Sequence, residues 1–202
     1  MFLTVLKAIG LFIATNVDHL VVLSLFFAHG AGRKHTLRRI FVGQYIGFGA
    51  ILALTIAVAV GSRQLLPEGA LPWFGLIPLA IGIRAGIVNF RERREEGGES
   101  ELEEAAEKIS KKPLSILAVA GVTFANGGDE IGAYVPVFAL TETAEILTYV
   151  IVFLIGVAGV VFLAKYLTSR PKIAEVLDEY EELLFPLVLI LLGLGIIIFG
   201  LI

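Results

Sequence analysis

The chain has 202 residues, of which 57% are hydrophobic and 17% charged, with a formal net charge of -3 and a mean hydropathy of +0.88. A water-soluble domain could not bury that much apolar surface, and charges confined to short blocks between long uncharged stretches are what lipid imposes on spanning segments. The absence of cysteine excludes disulfides, thiolate metal sites and thiol nucleophiles.

A span takes about 20 apolar residues, and six stretches approach that length: 2–28, 40–60, 71–89, 113–140, 146–167 and 183–202. The first is too long for a secretory signal, has only Lys7 ahead of its core and lacks a small-x-small cleavage site, so it is expected to be retained. Between the third and fourth stretches lies a charged segment, 91–112, with no apolar face long enough to pack. It reads as a solvated linker or short surface helix rather than a metal-binding tail. The expected fold is therefore all-α and polytopic, with a three-helix unit at 1–90, the linker at 91–112 and a second three-helix unit at 113–202.

Basic residues set the orientation. Arg33, Lys34, Arg38 and Arg39 follow the first span, Arg91, Arg93, Arg94, Lys108, Lys111 and Lys112 the third, and Lys165, Arg170 and Lys172 the fifth. Those three loops are expected in the cytoplasm. The loop after the second span has only Arg63 and the loop 141–145 has no basic residue, so both, and both termini, are expected outside. Spans one to three then cross in the opposite sense to spans four to six, which predicts six transmembrane helices as two inverted three-helix repeats. Each half opens with an Asn–Asp pair in apolar surroundings: Asn16 and Asp18 in the first, Asn126 and Asp129 in the second. Inverted repeats whose interrupted helices meet near the midplane are a common transporter plan.

Ionisable residues inside spans are costly and mark functional sites. Asp18 lies deep in the first span beside Asn16 and His19. On a regular helix Asp18 points about 200° away from Asn16, while His19 returns to within about 60° of it. Either the span unwinds there or only one of Asn16 and Asp18 meets a ligand. In the fourth span Asn126, Asp129 and Glu130 fall at 0°, about -60° and about +40° on a wheel, one face, with Tyr134 near its edge. Gly127 and Gly128 weaken that helix and free backbone carbonyls, and Pro136 is positioned to bend it further out. Asp18, Asp129 and Glu130 place up to three negative charges in a low-dielectric interior, a conflict that a cation, or protons in its place, resolves. This predicts metal/proton exchange at Asn16, Asp18, His19, Asn126, Asp129 and Glu130, with Thr15, Gln44 and Tyr134 supporting them. Gln44 sits between Gly43 and Gly47, a small-xxx-small pair suited to close helix packing. Arg84 is expected to snorkel, and His29 and His35 to lie at the surface. No Walker motif is present, so the chain is not expected to hydrolyse nucleotide, to act as an enzyme or to need a cofactor. The divalent cation is substrate, the bilayer is the surroundings, no nucleic-acid partner is expected, and the oligomeric state, homo-oligomer included, is left open.

The sequence also resembles a known family. Asn16 and Asp18, the Gly-Gln-Tyr-x-Gly of residues 43–47, the Gly-Leu-Ile-Pro of 75–78 with Gly82, and Asn126-Gly127-Gly128-Asp129 followed by Ile131-Gly132, Tyr134 and Pro136 resemble the bacterial cadmium-resistance transporter family of the lysine-exporter superfamily. The likeness runs through the first four spans and more loosely to the end. It implies efflux of cadmium or a similar divalent cation across the bacterial or archaeal cytoplasmic membrane, conferring metal resistance, with both Asn–Asp motifs at the substrate site. Glu130 and His19 depart from the expected pattern. Cd²⁺ favours thiolates, absent here, whereas carboxylate, amide and imidazole groups also suit Zn²⁺, Mn²⁺ or Ca²⁺. Export of a cationic amino acid is the main alternative. An intramembrane aspartic protease, a lesser one, would need Gly where Asn126 stands, and a non-transporting scaffold is disfavoured by the buried charge.

Overall fold

A computed structural model of the protein describes residues 2–65, 67–92, 114–168 and 186–198. The described residues are helical throughout, with no strand. In chain order the helices are α1 (Phe2–Thr15), α2 (Val17–His29), α3 (Thr36–Leu65), a 3₁₀ segment (Glu68–Gly75), α4 (Leu76–Glu92), α5 (Ile116–Asn126), α6 (Gly128–Leu140), α7 (Thr143–Leu167) and α8 (Pro186–Ile198).

Three unbroken apolar stretches are long enough to cross a membrane: Thr36–Leu65, Gly69–Val88 and Thr143–Leu167. The pair α1 and α2 makes a fourth if it counts as one span, bent by 54° at Asn16. Helices α5 and α6 follow one another with a single intervening residue, Gly127, and α8 is a shorter apolar helix. At 1.5 Å per residue α3 is about 45 Å long, which exceeds the roughly 30 Å hydrocarbon core. Both of its ends therefore reach the headgroup level, where exposed Arg38 and Arg39 stand at one end and Arg63 at the other. The linker beyond residue 92, with Arg93, Arg94, Lys108, Lys111 and Lys112, lies outside the described residues, as do Arg170 and Lys172.

Helix faces divide as a lipid-embedded bundle requires. On α7, Tyr149, Phe153, Val157, Val161 and Ala164 are buried at three- and four-residue spacing, whereas Leu147, Ile151, Ile155 and Phe162 are exposed on the opposite face. In water such a face would be a liability; in lipid it is the solvent-matched one. Helices α1 and α2 pack on α7, while α5 and α6 pack on α3. Tyr45 of α3 also donates to the Leu154 carbonyl of α7 at 2.7 Å.

Small residues let two crossings close. A Cβ on Gly43 would stand 2.7 Å from the Ile116 carbonyl oxygen, and one on Gly47 2.7 Å from that of Ala120. The small-xxx-small pair thus presses α3 against α5 at backbone distance. Gly82 and Gly193 do the same between α4 and α8, where added Cβ atoms would approach the Pro186 carbonyl at 2.8 Å and the Leu79 nitrogen at 2.7 Å. The third span also starts differently from its sequence boundary. Residues 68–75 form a 3₁₀ turn containing Pro72 and Gly75 before the α-helix begins at Leu76.

Candidate functional site

The site is made by two helix interruptions. At Asn16 the backbone leaves helical geometry (φ -126°, ψ 14°), and at Gly127 it does so again (φ -78°, ψ 16°). Each break ends one helix and starts another, so the last turns of α1 and α5 and the first turns of α2 and α6 lie inside the bundle. The sequence explains both. Asn16 supplies its own partners, its Nδ2 donating to the Phe12 carbonyl at 3.1 Å and to Thr15 Oγ1 at 3.1 Å, a local bond that competes with the helix ladder. At the second break glycine relieves the steric demand, because a side chain on residue 127 would run into Ile51.

The breaks relocate the acids. Asp18 stands in the first turn of α2, and Asp129 and Glu130 stand in the first turn of α6. Carboxylates in those positions gain from the positive ends of the helix dipoles, which offsets part of their desolvation. The regular-helix wheel of the fourth span is thereby corrected. Asn126 closes α5 on the far side of the interruption and is exposed, so it does not share a continuous helical face with Asp129 and Glu130. The first span does unwind between Thr15 and Val17, as the 200° separation of Asn16 and Asp18 required of a joint site.

Around these breaks the side chains form a graded cluster. Asp18 is 30% exposed and Asp129 half-buried, whereas His19 and Glu130 are sealed off at 1% and 0%. His19 Nε2 lies 3.3 Å from Glu130 Oε1 and 4.0 Å from Asp18 Oδ2, without hydrogen-bond geometry to either acid. Asn16 Oδ1, His19 Nε2 and both oxygens of Glu130 are buried without a hydrogen-bond partner. Buried polar atoms without partners are rare in folded proteins and demand a reason. Among the described residues, no three His, Asp or Glu side chains converge tightly enough to hold one ion in this conformation.

The expected supporting residues are all in contact with the cluster. Tyr134, completely buried, meets Thr15 Oγ1 at 2.6 Å and accepts from Asn16 Nδ2 at 2.9 Å. Gln44 Nε2 lies 3.3 Å from His19 Nδ1, and Gln44 Oε1 accepts from Thr123 Oγ1 at 2.6 Å. Thr123 is the participant that sequence reading passed over. Its signal was its place as a hydroxyl in an apolar run three residues before Asn126. On the side toward α1 and α7, Phe12, Phe48, Tyr134, Phe138, Tyr149 and Phe153 interlock through tilted and edge-on ring contacts, 4.7 Å apart at Tyr134–Phe153. Arg84 is exposed on α4, as snorkelling requires. His35 is exposed and His29 half-buried, both away from the cluster.

A family model described as cadmium resistance transporter matches residues 12–200, which takes in both breaks and every member of the cluster. No curated protein and no solved structure matches the chain. The chain belongs to the cadmium resistance transporter family and is a multi-pass membrane protein.

Proposed function

We propose that this member of the cadmium resistance transporter family exports a divalent cation of the cadmium type across the cytoplasmic membrane, as a secondary transporter exchanging it for protons. The substrate site in this reading lies between the two breaks and is built from Asp18, His19, Asp129 and Glu130 with the Asn16 amide oxygen. Asn126, exposed at the end of α5, stands at the approach to it. The observation that carries the proposal is the set of four buried, unpartnered atoms, Asn16 Oδ1, His19 Nε2 and Glu130 Oε1 and Oε2, gathered where two helices are interrupted. A cation supplies the missing partner to all four. Without it, protons on the acids relieve the same conflict, and that competition is the basis of exchange.

Moderate affinity suits this task, since a transporter must release its cargo, and a set of oxygens with one imidazole holds Cd²⁺ or Zn²⁺ less tightly than thiolates would. Binding draws the two breaks together, because the ligands stand on α2 and α6 and do not yet converge. The reading also takes the chain as two inverted three-helix repeats with both termini outside. Its support is that the first and fourth spans are the broken ones, and that each packs on the middle span of the other half.

The test is flux in proteoliposomes with Cd²⁺, Zn²⁺, Mn²⁺ and Ca²⁺ under an imposed pH gradient, for wild type, Asp18→Asn and Asp129→Asn. Wild type is expected to move Cd²⁺ against the gradient's proton flow, and both variants to insert and fold but to lose flux. Full transport by either variant overturns the shared site. Lysine or arginine flux in place of metal flux overturns the substrate class.

A further inference from the structure

Gln44 is completely buried on α3 and stands between His19 of α2 and Thr123 of α5. The three make a hydrogen-bonded row: Thr123 Oγ1 to Gln44 Oε1 at 2.6 Å, and Gln44 Nε2 to His19 Nδ1 at 3.3 Å. A hydroxyl and a neutral imidazole each donate or accept, and an amide offers one side of each kind, so this row is complete in either direction. In the direction drawn by the structure, Thr123 donates to Gln44 and Gln44 donates to Nδ1. The ring hydrogen is then on Nε2, facing Glu130 Oε1 at 3.3 Å and Asp18 Oδ2 at 4.0 Å. With the amide turned over, Nδ1–H donates to Gln44 Oε1, Gln44 Nε2 donates to Thr123 Oγ1, and Nε2 presents a lone pair to the same acids.

An empty pair of carboxylates favours the first direction and a metal cation demands the second. We propose that Gln44, held by Thr123, is a positioning residue that reverses with occupancy, keeping the His19 ring hydrogen on Nε2 when the site is empty and freeing Nε2 as a ligand when a cation with affinity for imidazole fills it. This inference rests on the cation reading given above and adds a selectivity to it. Zn²⁺ and Cd²⁺ reward a ring nitrogen and reverse the row, while Ca²⁺, which takes oxygens, leaves it as it was. In the reversal Nε2–H breaks and its proton passes to water, while water returns one proton to Nδ1. Gln44 keeps both hydrogens, and the net charge of the row is unchanged. A ligating histidine that donates its other N–H to a fixed acceptor is the usual arrangement around bound metals.

The experiment reads the tautomer directly. Full-length protein in nanodiscs carries ¹⁵N-histidine, with His29→Gln and His35→Gln leaving His19 as the single histidine of the three in the chain. Ring ¹⁵N shifts are recorded without metal, with Cd²⁺ and with Ca²⁺, alongside Cd²⁺ binding by equilibrium dialysis. The expected result is Nε2–H in the empty protein and in Ca²⁺, and Nδ1–H with a metal-shifted Nε2 in Cd²⁺. Gln44→Glu, which only accepts, is expected to hold Nδ1–H in all three conditions. Gln44→Met, which does neither, is expected to weaken Cd²⁺ binding about 10-fold or more. The same tautomer with and without Cd²⁺ in wild type overturns the proposal, as does wild-type switching in Gln44→Glu. Cd²⁺ bound with His19 shifts unmoved defeats the row alone, whereas no Cd²⁺ bound at all defeats the cation reading and the row with it. Should Gln44→Met fail to fold, the wild-type and Gln44→Glu spectra still decide.

Discussion

Tyr134 Oη lies 2.9 Å from Asn16 Nδ2, so the middle of α6 is tied to the break in the first span. The same hydroxyl meets Thr15 Oγ1 at 2.6 Å, and no atom of the three is open to solvent. Tyr134→Phe keeps the ring contacts with Phe138 and Phe153 and removes only this tie. The cost expected of a lost buried hydrogen bond is about 1–2 kcal/mol, seen as a lower melting temperature in detergent. Cd²⁺ flux is expected to fall at the same time, because the register between the two breaks loosens. A variant that melts and transports like wild type shows the tie to be idle.

Glu130 separates structural from functional charge. It has no exposure, its two oxygens have no hydrogen-bond partner, and its nearest cationic candidate is His19 at 3.3 Å. A buried carboxylate without satisfied oxygens is a burden on the empty fold. Glu130→Gln is therefore expected to raise the melting temperature of the metal-free protein by a few degrees. It is also expected to abolish the further rise that Cd²⁺ gives wild type and to weaken Cd²⁺ binding at least 10-fold. A fall in metal-free stability instead would mean that Glu130 serves as a structural partner of His19.

What could be read from the sequence followed the physics of each signal. Apolar length pointed to the membrane spans, and acids set inside apolar runs, Asp18 in one half and Asp129 and Glu130 in the other, pointed to the candidate site, because lipid penalises such exceptions heavily. The conflict between Asn16 and Asp18 on a helical wheel left two alternatives, unwinding there or a single ligand, and the structure has the unwinding. The second break was signalled by Gly127 and Gly128, but its effect on the neighbouring side chains was not. Asn126, Asp129 and Glu130 fit one face of a regular helix, so a wheel groups Asn126 with side chains from which Gly127 separates it. Thr123 and Arg63 were missed for a different reason. Their roles depend on which helices cross, and a single sequence without a crossing pattern does not contain that.

The crossing of α3 and α5 is sensitive to volume at two positions. A Cβ on Gly47 would stand 2.6 Å from Thr123 Cβ and 2.7 Å from the Ala120 carbonyl, which is backbone and cannot step aside. Gly47→Val is expected to push α5 outward at a cost of about 1–3 kcal/mol. It also draws Thr123 away from Gln44, so Cd²⁺ binding is expected to weaken along with stability. Gly121→Ala makes the matched control, since nothing lies within 4 Å of a Cβ there, and it should melt and bind as wild type does. Equal effects from the two substitutions would show that close approach at Gly47 is not what holds the crossing.

Arg63 fixes the other end of α6. The last carbonyls of a helix have no partner within it and take one from elsewhere. Here Thr141 Oγ1 donates to the Val137 carbonyl at 2.7 Å, and the Arg63 guanidinium, reaching from the end of α3, donates through Nε to Ala139 at 2.8 Å and through Nη2 to Phe138 and Thr141. A cation at a helix C-terminus also meets the negative end of the dipole. Arginine suits the position because its planar fork serves several carbonyls from one side chain, which a single ammonium does not. Arg63→Gln is therefore expected to cost about 1–3 kcal/mol and to speed amide exchange in the last turn of α6, with Arg63→Lys falling between the two. Cd²⁺ affinity is expected to stay within about two-fold, since the acids occupy the first turn of α6 and the cap its last. Hydrogen exchange and dialysis on the same preparations check both halves of the statement. Unchanged exchange would remove the cap from the account of stability, and a large loss of affinity would mean that the two ends of α6 move as one body.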